Sequence, residues 1–305
     1  MLLRPRQKLF VERSLAALST RDNTLGVAPT GAGKTIMLSA VTGNMTGDGA
    51  KACVLAHRDE LTSQNRAKFA RVNPDMETSV VDATTKSWNG QVTFAMAPTL
   101  ARAANLAAMP NLDLLVIDEA HHAVAESYRR IIDRVRDANP DARVFGVTAT
   151  PNRGDRKGLR EVFDNVSDQV RLGELIASGH LVPPRTFVID VGVQDQLRAV
   201  RKTADDYDMG AVAAIMNRAP ITEEVVRHWE EKAGDRQTVV FCSTVAHAVD
   251  VATAFNEAGN PAAVVLGDMG SAERKMVLEA YASGEVQVIV NVAVLTEGWD
   301  HPPTS

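Results

Sequence analysis

The chain has 305 residues, 45% of them hydrophobic and 23% charged, a length and balance that allow two domains with buried cores and exclude a disordered or fibrous chain. Its net charge of −5 carries no basic footprint of a nucleic-acid binder, although a few local cations and backbone amides suffice to hold a strand. No stretch reaches the ~18–20 apolar residues of a membrane span.

In chain order, the basic start from Met1 to Lys8 is broken by Arg4, Arg6, Lys8, Glu12 and Arg13. No apolar targeting segment survives that interruption, and a cytoplasmic protein is expected. Short apolar runs then alternate with helical patterns, the mark of a parallel sheet wrapped by helices. Strands are predicted at 24–29, 51–57, 77–82, 91–97, 112–118 and 142–148. Tyr128, Ile131, Ile132 and Val135 follow the spacing of one helix face. The stretch 191–220 is polar and charged from Arg198 to Asp208, with no strand pattern, and reads as a partly helical connection between two lobes. Strands resume at 237–243, 261–267 and 286–294, with helices between them over Val245, Ala248, Val249, Ala252 and Phe255 and over 271–283. The expected organisation is a first α/β domain at 1–190, the connection at 191–220 and a second α/β domain at 221–305. Cys53 and Cys242 lie far apart in apolar runs, which predicts buried thiols.

Ala28-Pro29-Thr30-Gly31-Ala32-Gly33-Lys34-Thr35 fits the spacing of a phosphate-binding loop, with Ala at the first glycine position. A strand precedes it and a helical run, 36–42, follows. Glycines let the backbone curl so that successive N–H groups face phosphate oxygens, and a helix N-terminus adds its positive end. Lys34 suits the β- and γ-phosphates, and the Thr35 hydroxyl suits Mg²⁺. An accidental glycine turn is the plain alternative, and the strand-before, helix-after context disfavours it. Val116-Ile117-Asp118-Glu119-Ala120-His121-His122 then sets two carboxylates at the end of a buried strand, where α/β sheets place ligands. Asp118 is the candidate Mg²⁺ ligand and Glu119 the candidate for polarising water. Acids drawn to a helix N-terminus would look the same taken alone. His121 and His122 are adjacent and share no face, which argues against zinc.

The loop and the tetrad Asp118-Glu119-Ala120-His121 together resemble superfamily 2 helicases of the DEAH-box type. Further segments resemble that family's motifs in its order. Leu3-Arg4-Pro5-Arg6-Gln7 is similar to the N-terminal glutamine motif, with Arg6 in place of the usual aromatic. Leu55-Ala56-His57-Arg58-Asp59-Glu60-Leu61 with Gln64 resembles motif Ia, Pro98-Thr99-Leu100-Ala101-Arg102 motif Ib, and Thr148-Ala149-Thr150-Pro151 motif III. Val240-Phe241-Cys242-Ser243-Thr244, followed by Ala246-His247-Ala248, resembles motif IV, and the run from Asn291 to Asp300 resembles motif V. The resemblance spans residues 3 to 302. Within the superfamily it looks nearest to RadD-type repair helicases and the motor subunits of type III restriction enzymes, on the run from Thr296 to Pro302 and on Asp206-Tyr207-Asp208.

The resemblance implies two RecA-like α/β lobes, the second incomplete, with ATP and Mg²⁺ between them. It implies ATP contacts at Gln7, Pro29, Thr30, Gly31, Ala32, Gly33, Lys34, Thr35, Gly298 and Asp300, catalysis by Lys34, Asp118 and Glu119, and Mg²⁺ at Thr35 and Asp118. Gln7 is expected to read the adenine edge, and His121, Thr148 and Thr150 to couple nucleotide to strand. Nucleic-acid contacts are expected at Arg58, Thr99, Arg102, Ser243, Thr244 and Thr296, each of which alone would more often be a cap or a solvated residue. Arg153, Arg156, Lys157 and Arg160 form a basic cluster that reads best as a solvated face, and Trp88, Trp229 and Trp299 read best as packing residues. The family's motif VI, with its arginines, does not follow motif V, so the fragment is expected to bind ATP and hydrolyse it poorly. The expected function is an ATP-dependent helicase or translocase on DNA. Alternatives are a double-stranded DNA translocase serving a restriction or repair nuclease, an ATP-dependent clamping switch, and an RNA helicase.

Overall fold

The computed structural model describes residues 2–151, 158–202, 207–296, 299 and 304. The chain divides into two compact units, Met1–Pro184 and Arg185–Ser305. The first runs α1 (Pro5–Leu18), β1 (Asn23–Val27), α2 (Lys34–Met45), β2 (Ala52–Ala56), α3 (Asp59–Val72), β3 (Thr78–Val81), β4 (Val92–Met96), α4 (Ala97–Leu100) and α5 (Ala103–Ala107). It continues through β5 (Leu114–Asp118), α6 (Glu126–Ala138), β6 (Arg143–Thr148), β7 (Val166–Gln169) and α7 (Leu172–Ala177). Among the described residues its sheet has seven strands in the order β3-β4-β2-β5-β6-β1-β7, and the pairings are parallel.

A sheet covered on both faces needs apolar residues at successive positions, and β5 shows it. Leu115 and Ile117 pack to one side with Tyr128, Ile131, Ile132 and Val135 of α6. Leu114 and Val116 pack to the other with Phe10 of α1 and Leu38 of α2. The helix face predicted at 128–135 is therefore the buried face of α6. Each predicted strand is present and shorter than predicted, and β1 begins one residue earlier, at Asn23. The last one stops at Asn291, whose Oδ1 accepts the N–H groups of Val294 and Leu295 at 3.2 Å each and turns the chain out of the sheet.

The edge strand β7 has no counterpart in the sequence reading. Its sequence, Val-Ser-Asp-Gln, has neither alternation nor an apolar run, and tertiary contacts hold it instead. The Asp168 carboxylate, whose side chain is 3% exposed, pairs with Arg6 and lies 2.8 Å from Arg13 Nη1, both on α1. Arg6 also reaches Glu174 Oε2 at 2.9 Å and the Gln169 carbonyl at 3.1 Å. This clamp fastens α1 to β7 and α7.

The second unit runs α8 (Gln194–Arg198), α9 (Met209–Met216), α10 (Ala219–Ala233), β8 (Thr238–Phe241), α11 (Val245–Glu257), β9 (Ala262–Val265), α12 (Ser271–Ser283) and β10 (Val288–Asn291). Its parallel strands follow the order β8-β10-β9. Within the polar run, Lys202 bridges Tyr207 and Asp208 caps α9 by accepting the Ala211 N–H at 3.0 Å. Trp229 donates its indole N–H to Thr238 Oγ1 at 2.8 Å and meets Phe255 edge-on. Trp88 packs against the first core and Trp299 beside Tyr281. Cys53 is buried and Cys242 half-buried; burial pushes both thiols up, Cys242 to about 11. No helix of the described residues is long and apolar enough to cross a membrane.

Burial works to raise the Asp168 carboxyl, but its hydrogen bonds and charge contacts with Arg6 and Arg13 outweigh that and hold it below the ordinary carboxylate value. A group lowered on folding stabilises the fold fully above its unfolded value, and loses that contribution as pH falls through the folded one. Asp168→Asn is therefore expected to cost about 2 kcal/mol near neutral pH. In urea unfolding, the gap from wild type should hold down to about pH 4 and narrow below it. A gap that widens on acidification would contradict the clamp.

Candidate functional site

β1 delivers the chain into the loop Ala28-Pro29-Thr30-Gly31-Ala32-Gly33, in which Gly31 and Gly33 both have φ of +82°. That left-handed backbone suits glycine and strains other residues. Gly33 caps α2, whose N–H ladder begins with Ile36 and Met37 bonding to the Gly33 carbonyl. The earlier N–H groups, Lys34 and Thr35 among them, have no intrahelical acceptor and form an anion-binding end. Space around the loop is closed. A Cβ at Gly33 would come 2.5 Å from Gln7 Nε2, and one at Gly31 would come 2.6 Å from Leu181 Cδ2.

Gln7 is 8% exposed. Its amide donates to the Ala32 carbonyl at 3.0 Å, and its Oε1 accepts the Arg4 N–H at 3.0 Å. α1 is thus tied directly to the loop, and one amide hydrogen and one lone pair of Gln7 remain for a base edge. Beside it lies a small apolar slot lined by Arg4, Gln7, Ala32, Met37, Leu175 and His180. Arg6, at the position where the family carries an aromatic, serves the clamp to β7.

β5 ends at Asp118, which is 5% exposed. Its Oδ2 accepts the Asn65 amide at 2.8 Å, and its Oδ1 accepts the Glu119 N–H at 3.0 Å. Glu119 has φ of +47°, a strained conformation for a side-chain-bearing residue. The turn sets the Glu119 carboxylate 3.6 Å from Lys34 Nζ and 3.5 Å from His121 Nδ1. His121 Nδ1 lies 3.2 Å from the hydroxyl of Thr148, which also accepts the Thr150 N–H at 3.1 Å. Thr148 ends β6, the strand between β5 and β1. Lys34, Asp118, Glu119, His121, Thr148 and Thr150 thus meet at the C-terminal ends of β1, β6 and β5, with Thr35 next to Lys34 in the first turn of α2.

The donor set suits Mg²⁺. The Thr35 hydroxyl and the Asp118 carboxylate are hard oxygens, the number a protein commonly supplies to an ion that keeps its waters and binds phosphate.

The residues expected to touch a strand are placed less uniformly. Arg58 stands at the N-terminus of α3 and is half-buried, and Arg102 stands at the N-terminus of α5 and is exposed. Thr99 is only 1% exposed. It sits in the buried turn of α4, where its carbonyl accepts the Asn105 amide at 2.7 Å. In the second unit, Ser243 Oγ lies 3.2 Å from His247 Nδ1, and Thr244 caps α11 by accepting the His247 N–H at 3.2 Å. Thr296 Oγ1 donates to the Ala293 carbonyl at 3.3 Å. Gly298, Asp300, Asp206, Arg153, Arg156 and Lys157 lie outside the described residues. Asn65, Asp168 and a stack of His57, His122 and Tyr128 rings were not singled out in the sequence. For Asn65 the available signal was an amide spaced four residues from Leu61 and from Phe69 on one helix face.

Comparison with known proteins identifies the family of the chain. A family model described as "Type III restriction enzyme, res subunit" matches residues 1–153, and one described as "Helicase conserved C-terminal domain" matches 219–304. The protein named as ATP-dependent helicase IRC3 of Saccharomyces cerevisiae is 26% identical over 99% of this chain and 46% of its own length. ATP-dependent RNA helicase DBP2 of the same yeast is 25% identical over 93% of this chain and 51% of its own. The chain thus spans about half the length of these relatives. Among solved structures, S. cerevisiae Dbp5 bound to RNA and ADP BeF3 is similar in fold, with a TM-score of 0.62 at 17% identity over 97% of this chain and 72% of that one.

Gly33→Ala tests the loop. The left-handed backbone penalty of roughly 1–2 kcal/mol adds to displacement of the Gln7 amide. A lower melting temperature together with weaker nucleotide binding is expected, and unchanged values of both would show that the backbone there is not constrained.

Proposed function

The chain belongs to the superfamily 2 helicases, with a type III restriction enzyme res-subunit domain followed by a helicase C-terminal domain, and we propose that it binds ATP with Mg²⁺ and couples ATP hydrolysis to movement on nucleic acid, DNA in preference to RNA. The observation that carries this reading is the meeting of Lys34 and Glu119 at 3.6 Å beside Asp118, at the mouth of a loop curled by two left-handed glycines.

The proposed roles follow from the chemistry of each group. The loop N–H groups and Lys34 hold the triphosphate, in exchange for the Lys34–Glu119 contact. Thr35 and Asp118 hold Mg²⁺, which supplies charge neutralisation on the phosphates. Glu119, freed from Lys34, accepts a hydrogen bond from the attacking water and orients it. His121 and Thr148 join Glu119 to the end of β6 and to Thr150, so a change at the nucleotide is felt in the segment after that strand. Gln7 offers its remaining donor and acceptor to the base. Arg58 and Arg102, at helix N-termini, with Ser243, Thr244 and Thr296, suit phosphate oxygens, a sequence-independent grip.

The preference for DNA rests on the res-subunit domain. The relative DBP2 is named an RNA helicase, and RNA is the reading against which DNA is to be tested. Affinity of this chain for single-stranded DNA, duplex DNA and RNA, measured with and without a non-hydrolysable ATP analogue, separates the two. Tighter nucleotide-dependent binding to DNA supports the proposal, and nucleotide-dependent binding to RNA alone assigns the motor to RNA. Lys34→Ala should weaken nucleotide binding roughly 100-fold. Glu119→Gln should keep nucleotide affinity and lower turnover by about 10²–10⁴-fold. Calorimetry with single-turnover hydrolysis checks both, and normal turnover by Glu119→Gln would remove that residue from the chemistry.

A further inference from the structure

Asn65 is 1% exposed on the inward side of α3, between Leu61 and Phe69 on the same helix face. An amide is a poor choice for an apolar helix face. It has lower helix propensity than Leu or Ala, and burying it is unfavourable unless it is hydrogen-bonded. Here it is bonded to one atom of the site: its Nδ2–H donates to Asp118 Oδ2 at 2.8 Å. The second carboxylate oxygen of Asp118 accepts the Glu119 N–H at 3.0 Å. One donor on each oxygen fixes the carboxylate plane and leaves the other lone pairs for a ligand.

The chemistry of the two donors matters as much as their geometry. Both are neutral, so they orient Asp118 without cancelling the negative charge that a cation needs. A lysine or arginine at position 65 would neutralise it, and an aspartate would set two carboxylates in hydrogen-bond contact. The ammonium of the site, Lys34, pairs with Glu119.

We propose that Asn65 is a positioning residue for the divalent cation, holding Asp118 through Oδ2 in the rotamer that presents its carboxylate to the metal. The proposal rests on the reading of Asp118 as a cation ligand. Groups that orient a metal ligand typically change metal affinity 10–100-fold when removed, so the effect falls on Mg²⁺ rather than on the nucleotide itself.

The test uses the 305-residue chain and a fluorescent ATP analogue, with affinity measured in EDTA and across a Mg²⁺ titration. Asn65→Ala should raise the Mg²⁺ concentration needed for half of the metal-dependent gain in affinity by about 10-fold, and leave affinity in EDTA unchanged. Asn65→Ser, which keeps a small polar side chain too short to reach Asp118, should behave alike and serves if the alanine variant does not fold. Melting curves establish that each variant is folded. Asp118→Asn should abolish the Mg²⁺-dependent gain. A wild-type Mg²⁺ curve in the Asn65 variants, with Asp118→Asn impaired, overturns the positioning role and leaves the site reading standing. Parallel loss of affinity in EDTA assigns Asn65 to structure alone and also overturns it. A wild-type curve for Asp118→Asn overturns the ligand reading, and this proposal with it.

Discussion

Lys34 reaches Glu119 because three parallel strands end side by side. β1 must turn into α2 through left-handed glycines, β5 must end in two acids, and β6 must lie between them with a small hydroxyl residue at its tip. The strand order β5-β6-β1 meets the last demand, and Thr148 occupies that tip. The resulting 3.6 Å contact between ammonium and carboxylate holds two charged side chains in a mostly enclosed site. A buried pair of this kind adds little net stability, since desolvation offsets attraction. Its value lies in exchange: a polyanion seated on the loop takes over the ammonium and releases the carboxylate.

Around that contact the unit is braced from two directions. On one side, Asp168 draws Arg6 and Arg13 of α1 to β7. α1 in turn carries Gln7 onto the Ala32 carbonyl of the loop. On the other side, α3 sends Asn65 to Asp118. Both braces end on a polar atom next to the phosphate loop or the acids, and both replace a generic apolar contact with a directional bond. The strained φ of +47° at Glu119 fits such a setting, because strain persists only where neighbouring contacts over-determine the backbone.

Much of this was legible in the sequence. Gly31, Gly33 and Lys34 announced a phosphate loop because only glycine adopts that backbone freely and the spacing is narrow. Asp118 and Glu119 followed an apolar run, Leu112 to Ile117, that reads as a buried strand. Tyr128, Ile131, Ile132 and Val135 gave α6 by period alone. What escaped was set by contacts between distant residues. β7 reads as a loop because its pairing with β1 and the Asp168 clamp, about 160 positions from Arg6, decide its conformation. Nothing in the sequence around Asn65 points to its partner Asp118, 53 positions away. Thr99 matched a motif by type, yet the tight turn of α4 buries its hydroxyl.

The central claim, that Lys34, Thr35 and Asp118 converge on one triphosphate and its cation, is tested most directly by diffraction from crystals grown with a non-hydrolysable ATP analogue and Mn²⁺. The account predicts an anomalous manganese peak in contact with the Thr35 hydroxyl and the Asp118 carboxylate side, with Lys34 moved from Glu119 onto the terminal phosphate. A manganese peak elsewhere in the chain, or Lys34 still paired with Glu119 beneath the bound nucleotide, would contradict it.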